Sequence, residues 1–282
     1  MQRQRFLGVT VLIVLLALGA MLSRPAQANE LSRALLLPEL FGVMAEEGRK
    51  SVLADGAVPL QGRAFEQFSG DVEDIYQPER MLAEFLRVLE AELADTPEAR
   101  TDALDFAASD PGRRILQLEL AAREALLDDD VDMLARMALD EARAGTGGDD
   151  GAQRLQQVRA RIDANDLIEL NVSLGLNTSF AYYRGMLAEN AVNGMSTDML
   201  LQLVWAQEPE IRADIEDWIE SYFLMTYRPL SAEEMQDFVA YVSTPLAQEF
   251  NRAMFRAFDT VFSEISYQVG RALGRRLNVE EL

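Results

Sequence analysis

Met81-Leu-Ala-Glu-Phe85-Leu-Arg-Val88-Leu89 decides the fold. Its apolar residues Met81, Phe85, Val88 and Leu89 fall at i, i+4, i+7 and i+8, one face of an α-helix. The same spacing returns 134 residues later, in Ile215, Ile219, Tyr222 and Phe223. No stretch of the chain sustains the period-2 alternation of a half-buried strand. Pro and Gly stand between the helical patterns rather than inside them. The chain therefore reads as all-α.

The repeat continues downstream of both stretches. Phe106-Ala-Ala-Ser109-Asp110-Pro111 keeps its Ser and Pro in register with Ala240-Tyr-Val-Ser243-Thr244-Pro245. Ser231 followed by Glu234 fits a capping box, and Thr96 before Pro97 marks another helix start. In each copy an amphipathic helix ends near the serine and a longer one begins at the proline. Pro lacks an N–H and fixes φ, so it suits the first turn of the new helix. Asp110 and Thr244 stand just before the prolines and are expected to cap those helices. Two related multi-helix halves follow, 29–144 and 152–282. The Gly/Asp linker 145–151 (Gly145-Thr-Gly-Gly-Asp-Asp-Gly151) joins them. The helices are expected over 30–55, 61–75, 78–94, 97–108 and 111–144 in the first half. The second half gives 152–191, 196–207, 209–227, 231–242 and 245–277. Asn171 and Gly175 are the places where 152–191 would break.

A Ser/Thr-capped helix, an aromatic residue and a Ser/Thr-Pro turn opening a long helix resemble the bacterial domain of unknown function 2059. The better match runs from Met235 to Phe250, around Tyr241-Val-Ser243-Thr244-Pro245-Leu. A weaker one runs from Phe106 to Leu116. In that family the turn reads Ser/Thr-Pro-x-Gly; here Arg113 and Ala247 stand two residues after the prolines. The resemblance covers about 40 residues in each half. It implies an exported, all-helical protein and brings no established activity with it.

The N-terminus agrees with export. Met1-Gln-Arg-Gln-Arg5 is a short basic start, Phe6 to Leu22 is uncharged and mostly apolar, and Ala26-Gln-Ala28 is a small-x-small site. That order reads as a signal peptide, 1–28, with the mature chain starting at Asn29 in a periplasmic or secreted location. Retention of 1–28 as an anchor is the competing reading. No later stretch is long and apolar enough to span a bilayer.

Composition removes several chemistries. The chain has 282 residues, no Cys and no His, and a formal charge of −21. Without Cys there is no disulfide. Without His or Cys there is no Ser-His-Asp or Cys-His machinery, and no His- or Cys-based zinc, haem or iron–sulfur site. A polyanion repels nucleic acid. No cofactor or metal is expected.

Three groups of residues invite a functional reading. Asp128, Asp130 and Asp132 occupy positions 1, 3 and 5 of an EF-hand loop. Met133 then stands where glycine is needed and Leu139 where a bidentate Glu belongs, so they read as a solvated acidic stretch. Trp218, Tyr222 and Met225 share a helical face, with Phe223, Tyr227 and Trp205 nearby. They could line a groove for an apolar ligand or peptide, or simply belong to the core. Ser179, Tyr182, Tyr183 and Arg184 sit among Asn171, Asn177, Asn190 and Asn193, a polar-recognition set or a polar helix face. With 47 acidic residues, carboxylate pairs cannot be chosen by spacing. The reading is a non-enzymatic binding or interaction protein of the bacterial envelope. Its partner would be another protein or an apolar ligand. The alternative is a carboxylate-based hydrolase of envelope polymers.

Overall fold

A 36-residue helix at the C-terminal end, Pro245–Glu280, organises the computed structural model. The structure describes residues 30–54, 59–146, 148–192 and 194–280, so the expected signal peptide lies outside the described residues. A short helical turn at 30–34 precedes α1 (Leu37–Leu53). Then come α2 (Gly62–Ile75), α3 (Pro78–Glu92), α4 (Pro97–Ala108), α5 (Asp110–Ala125) and α6 (Asp129–Ala144). After them come α7 (Gly148–Asp163), α8 (Leu167–Ala188), α9 (Thr197–Trp205), α10 (Glu208–Thr226), α11 (Ala232–Val242) and the long α12 (Pro245–Glu280). The fold is all-α, with no strand among the described residues. No helix among them is long and apolar enough to cross a membrane.

Close approach, not bulk, sets the central pair. A Cβ placed on Gly185 of α8 would meet the Tyr267 carbonyl oxygen of α12 at 2.2 Å. One placed on Gly270 of α12 would meet the Tyr182 carbonyl oxygen at 2.0 Å. The two backbones touch because neither crossing residue has a side chain.

The long helix then reaches across to the first half. Phe258 of α12 lies 4.3 Å from Phe85 of α3 and 5.7 Å from Phe41 of α1, ring centre to ring centre. Met81, Phe85, Val88 and Leu89, the face read from the sequence, are all buried there. The second such face, Ile215, Ile219, Tyr222 and Phe223 of α10, is buried as well, with α5 and α6 packed on that helix. The first periodic helix, α3, thus packs on the C-terminal helix α12, and the second, α10, on α5 and α6.

Two helices expected as continuous are broken. The stretch 111–144 is interrupted between α5 and α6 at Leu126-Leu127-Asp128. Asp128 opens α6 by accepting from the Asp130 N–H at 2.9 Å. Lys50 serves the other side, donating to the Leu127 carbonyl at 2.8 Å and pairing with Asp129 at 2.5 Å. The stretch 152–191 breaks at Ala164-Asn165-Asp166 rather than at Asn171 or Gly175. Asp166 takes a left-handed φ of 51°. Side-chain amides hold that turn. Gln248 donates to the Ala164 carbonyl at 2.7 Å, and Asn165 donates to the Val242 carbonyl at 3.0 Å. Gly145 ends α6 at φ 69°, but Gly148–Gly151 of the expected linker already belong to α7.

The turn chemistry corrects one cap. Ser109, not Asp110, caps α5: its Oγ accepts from the Gly112 N–H at 3.1 Å. Asp110 is the first helical residue there, exposed and paired with Arg113. α4 runs one residue longer than α11, so a single serine ends one helix and starts the next. In the second turn Thr244 caps as expected, accepting from the Ala247 N–H at 3.3 Å. Ser231 and Glu234 form the full capping box. Thr96 makes no side-chain cap bond.

Candidate functional site

α6 buries one leucine between two alanines and exposes three of its large apolar side chains. Its buried residues are Ala135, Leu139 and Ala142. Met133, Leu134 and Met137 are 53%, 60% and 52% exposed. An ordinary amphipathic helix turns its larger apolar residues inward. Leu139 and Ala142 join Leu155 of α7 in a small cluster apart from the main core, with Leu224 of α10 packed against it.

Next to this helix lies an open groove of about 910 Å³. Val131, Leu134 and Ala138 of α6 form its apolar wall, and Leu224 and Met225 at the end of α10 add apolar surface. Gln153, Arg154 and Gln157 of α7 form a polar wall. That wall is held in place. Arg154 donates to the Leu230 carbonyl and Gln157 to the Ala232 carbonyl, the latter at 3.1 Å. The α6–α7 hairpin is tied to α10 by Arg143, which pairs with Asp217 at 2.6 Å and Glu220 at 2.8 Å. Arg159 of α7 adds a second pair to Glu220 at 2.6 Å. Burial would raise the Glu220 carboxyl's pKa, but the hydrogen bonds from Arg159 and Arg143 outweigh it and hold the group below its ordinary range.

The aspartates read against an EF-hand loop sit at this helix start. Asp128 is the cap, Asp129 pairs with Lys50, and Asp132 pairs with Arg136 one turn on at 2.8 Å. Acidic residues in a first helical turn complement the positive end of the helix dipole. No three metal-ligating side chains gather among the described residues.

Trp218, Tyr222 and Met225 are not brought together as one open site. Tyr222 is buried, and its hydroxyl donates to the Glu119 carbonyl at 2.8 Å. Trp218 is half-buried. It stacks on Tyr222 at 5.1 Å, and the Arg123 guanidinium lies 5.2 Å from its ring centre. Arg123 is itself buried and paired with Glu47 at 2.5 Å. Only Met225 reaches the groove. The i, i+4, i+7 face was the face α10 turns to the core. Trp205 is 65% exposed on α9, with Met199, Leu201 and Leu203. Ser179 and Asn171 are buried, Asn177 donates to Asp259 at 2.9 Å, and Arg184 lies over Phe180 and Tyr267. Asn193 lies outside the described residues. The turn residues Ser109, Asp110, Pro111, Ser243, Thr244 and Pro245 are helix-end residues, with no groove described beside them.

A buried polar cluster escaped the sequence reading. Glu119 of α5 is 4% exposed and accepts a hydrogen bond from the Tyr227 hydroxyl. Burial pushes its carboxyl up to about 8, against the smaller opposing effects of Tyr227 and the Arg161 charge. Arg161 is fully buried; its guanidinium lies 5.6 Å and 5.3 Å from the ring centres of Phe223 and Phe238. A perturbed carboxyl can mark a catalytic acid. This one borders a recess of about 30 Å³ lined by Leu35, Leu36, Leu40 and Leu116, with room for about one water and none for a polymer.

Met133, Leu134 and Met137 were also missed. Their signal was present: they form an apolar stripe at i, i+1 and i+4 on a helix whose other stripe is mostly alanine. No family model matches the chain, and neither a curated protein nor a solved structure matches it.

Proposed function

We propose that this chain is an exported, non-enzymatic binding protein of the bacterial envelope, and that the groove beside α6 is its binding surface. One observation carries the reading: Leu134, 60% exposed, lines a groove of about 910 Å³, and Met133 and Met137 of the same helix are exposed beside its lining residues in the chain. Exposed large apolar residues beside a concavity mark interaction sites. Met adapts its shape to a partner at little strain. The basic-apolar-small order of residues 1–28 supports export.

Two related halves are part of the same proposal. Thr96 and Ser231 start equivalent helices, and Ser109 and Thr244 cap the next ones; each pair is 135 residues apart. Phe106 and Tyr241, also 135 apart, stack on each other at 3.9 Å and 6°. Counted from the caps, Gly112 and Ala247 stand at the same third helical position. That is the glycine position of the Ser/Thr-Pro-x-Gly turn, which supports the resemblance to the domain of unknown function 2059 in the first half.

A photo-crosslinking residue at position 134 of the chain in its own envelope tests the surface. A discrete crosslinked product is expected, absent when the same residue replaces Leu246 on α12, which is also exposed. No product at position 134, together with release of fragments from purified envelope polymer by the chain, would favour the hydrolase reading.

A further inference from the structure

We infer that the groove beside α6 takes a basic amphipathic helix of about four turns. The inference rests on the binding reading above and names the partner's chemistry.

Charge surrounds the apolar wall unevenly. Residues 128–151 hold eight Asp or Glu against two Arg, in a chain already at −21. Both arginines are engaged: Arg136 pairs with Asp132, and Arg143 with Asp217 and Glu220. The groove lining carries Glu141 and Asp150 together with Arg154 and Arg228, so its interior is balanced. Arg154 is committed to the Leu230 carbonyl and Gln157. The acidic residues outside the groove lining, Asp128, Asp130 and Asp140 among them, therefore lie along α6 and its N-terminal end, outside the apolar wall.

An occupant must satisfy both features. Apolar side chains are needed against Leu134, Leu224 and Met225, and cations are needed at the rim. An amphipathic helix with a basic polar face supplies both at i, i+3, i+4 and i+7. A second copy of this chain is disfavoured by its own charge, and so is an anionic lipid or a fatty acid anion. Length agrees as well. α6 has 16 residues, about 24 Å at 1.5 Å per residue, which a helix of similar length would cover. The two arginine bridges from the hairpin to α10 keep the wall in place for such a guest.

The probe is a fluorescein-labelled 14-residue Leu/Lys peptide with helical apolar spacing, titrated against the mature chain. Two peptides act as controls: the Leu/Glu counterpart, and a scrambled Leu/Lys peptide of equal charge. The Leu/Lys helix is expected to bind at least tenfold more tightly than either control, and to weaken as salt rises. Leu134→Asp should cost at least tenfold, whereas Leu246→Asp should leave binding unchanged. Asp140→Asn with Glu141→Gln should weaken binding and flatten its salt dependence. Thermal melts of each variant separate lost binding from lost folding. If Leu134→Asp unfolds the chain, Ala138→Asp, at an exposed residue of the same wall, replaces it. Equal binding of the scrambled peptide, or of the acidic one, would overturn the inference. A crosslinked partner at position 134 alongside either result would leave the binding reading intact and reject only this partner class.

Discussion

Gly112 has no room for a side chain. A Cβ there would lie 1.9 Å from the Phe106 carbonyl oxygen, which already accepts from the Ser109 hydroxyl at 2.5 Å. A backbone oxygen cannot move aside as a flexible side chain can. Gly112→Ala is therefore expected to destabilise by about 1–3 kcal/mol, measured by urea unfolding. At the matching position Ala247→Gly should cost about 1 kcal/mol through helix propensity, with about 1 kcal/mol more for the buried methyl it removes. A neutral Gly112→Ala would show that the tight turn is not required. The capping residues give a second comparison. Ser109→Ala and Thr244→Ala should each cost roughly 0.5–2 kcal/mol. Asp110→Ala should cost less than either, because its pair with Arg113 is exposed. Glu119 makes stability depend on pH. Its folded value of about 8 exceeds the ordinary carboxyl value of 4.5, so the folded state holds the proton more tightly. The stability it contributes is fully present below about 4.3 and is lost as pH rises toward 8, at up to about 1.4 kcal/mol per unit. Glu119→Gln keeps an acceptor for Tyr227 and cannot ionise. It should flatten the change in urea midpoint between pH 5 and pH 8. An unaltered slope would assign the titration to another group.

Helices were legible wherever an apolar face and a local start signal coincided. α3, α4 and α11 follow their sequence patterns closely because Pro78, Pro97 and Ser231 mark their starts. The break at Ala164-Asn165-Asp166 was not legible, because the groups that hold it come from α11 and α12, about 80 residues away. The break at Leu126-Leu127-Asp128 depends on Lys50, about as distant in the other direction. Apolar spacing on α10 located a core face and was open to reading as a groove, since periodicity does not say what covers a face. On α6 the opposite held. Its alanines and its acidic residues hid the fact that the larger apolar residues point outward. The α8–α12 crossing gives the test at this scale. Gly270→Ala would drive a methyl group to 2.0 Å from the Tyr182 carbonyl oxygen. Separating two packed backbones should cost about 1–3 kcal/mol or more, read as a lower melting temperature.

The molecule as a whole is held across its midpoint. α12 packs on α3 and α4, and α5 and α6 pack on α10. The fragments 29–144 and 152–282 are each expected to lack a cooperative melt alone, and to recover helicity and cooperativity when mixed. Circular dichroism of each fragment and of the mixture checks this. A cooperative melt from either fragment alone would show that the halves are independent domains. The stack of Phe106 on Tyr241 carries this further. In the register set by the caps Ser109 and Thr244, 135 residues apart rather than the 134 of the apolar repeat, these rings would occupy equivalent positions, and a position that meets its own counterpart lies on a two-fold axis. Only a self-complementary contact between two like subunits places residues that way. On that reading, which belongs to the proposal, the chain would have the geometry of a homodimer made permanent by fusion. On the same reading the covalent link between the copies would make their encounter an intramolecular step, so assembly would not depend on concentration. On the same reading fusion would also free the two copies from identity: Gly112 and Ala247 differ, and the exposed Met133, Leu134 and Met137 belong to the first stretch alone, so a single partner site would need no symmetric twin.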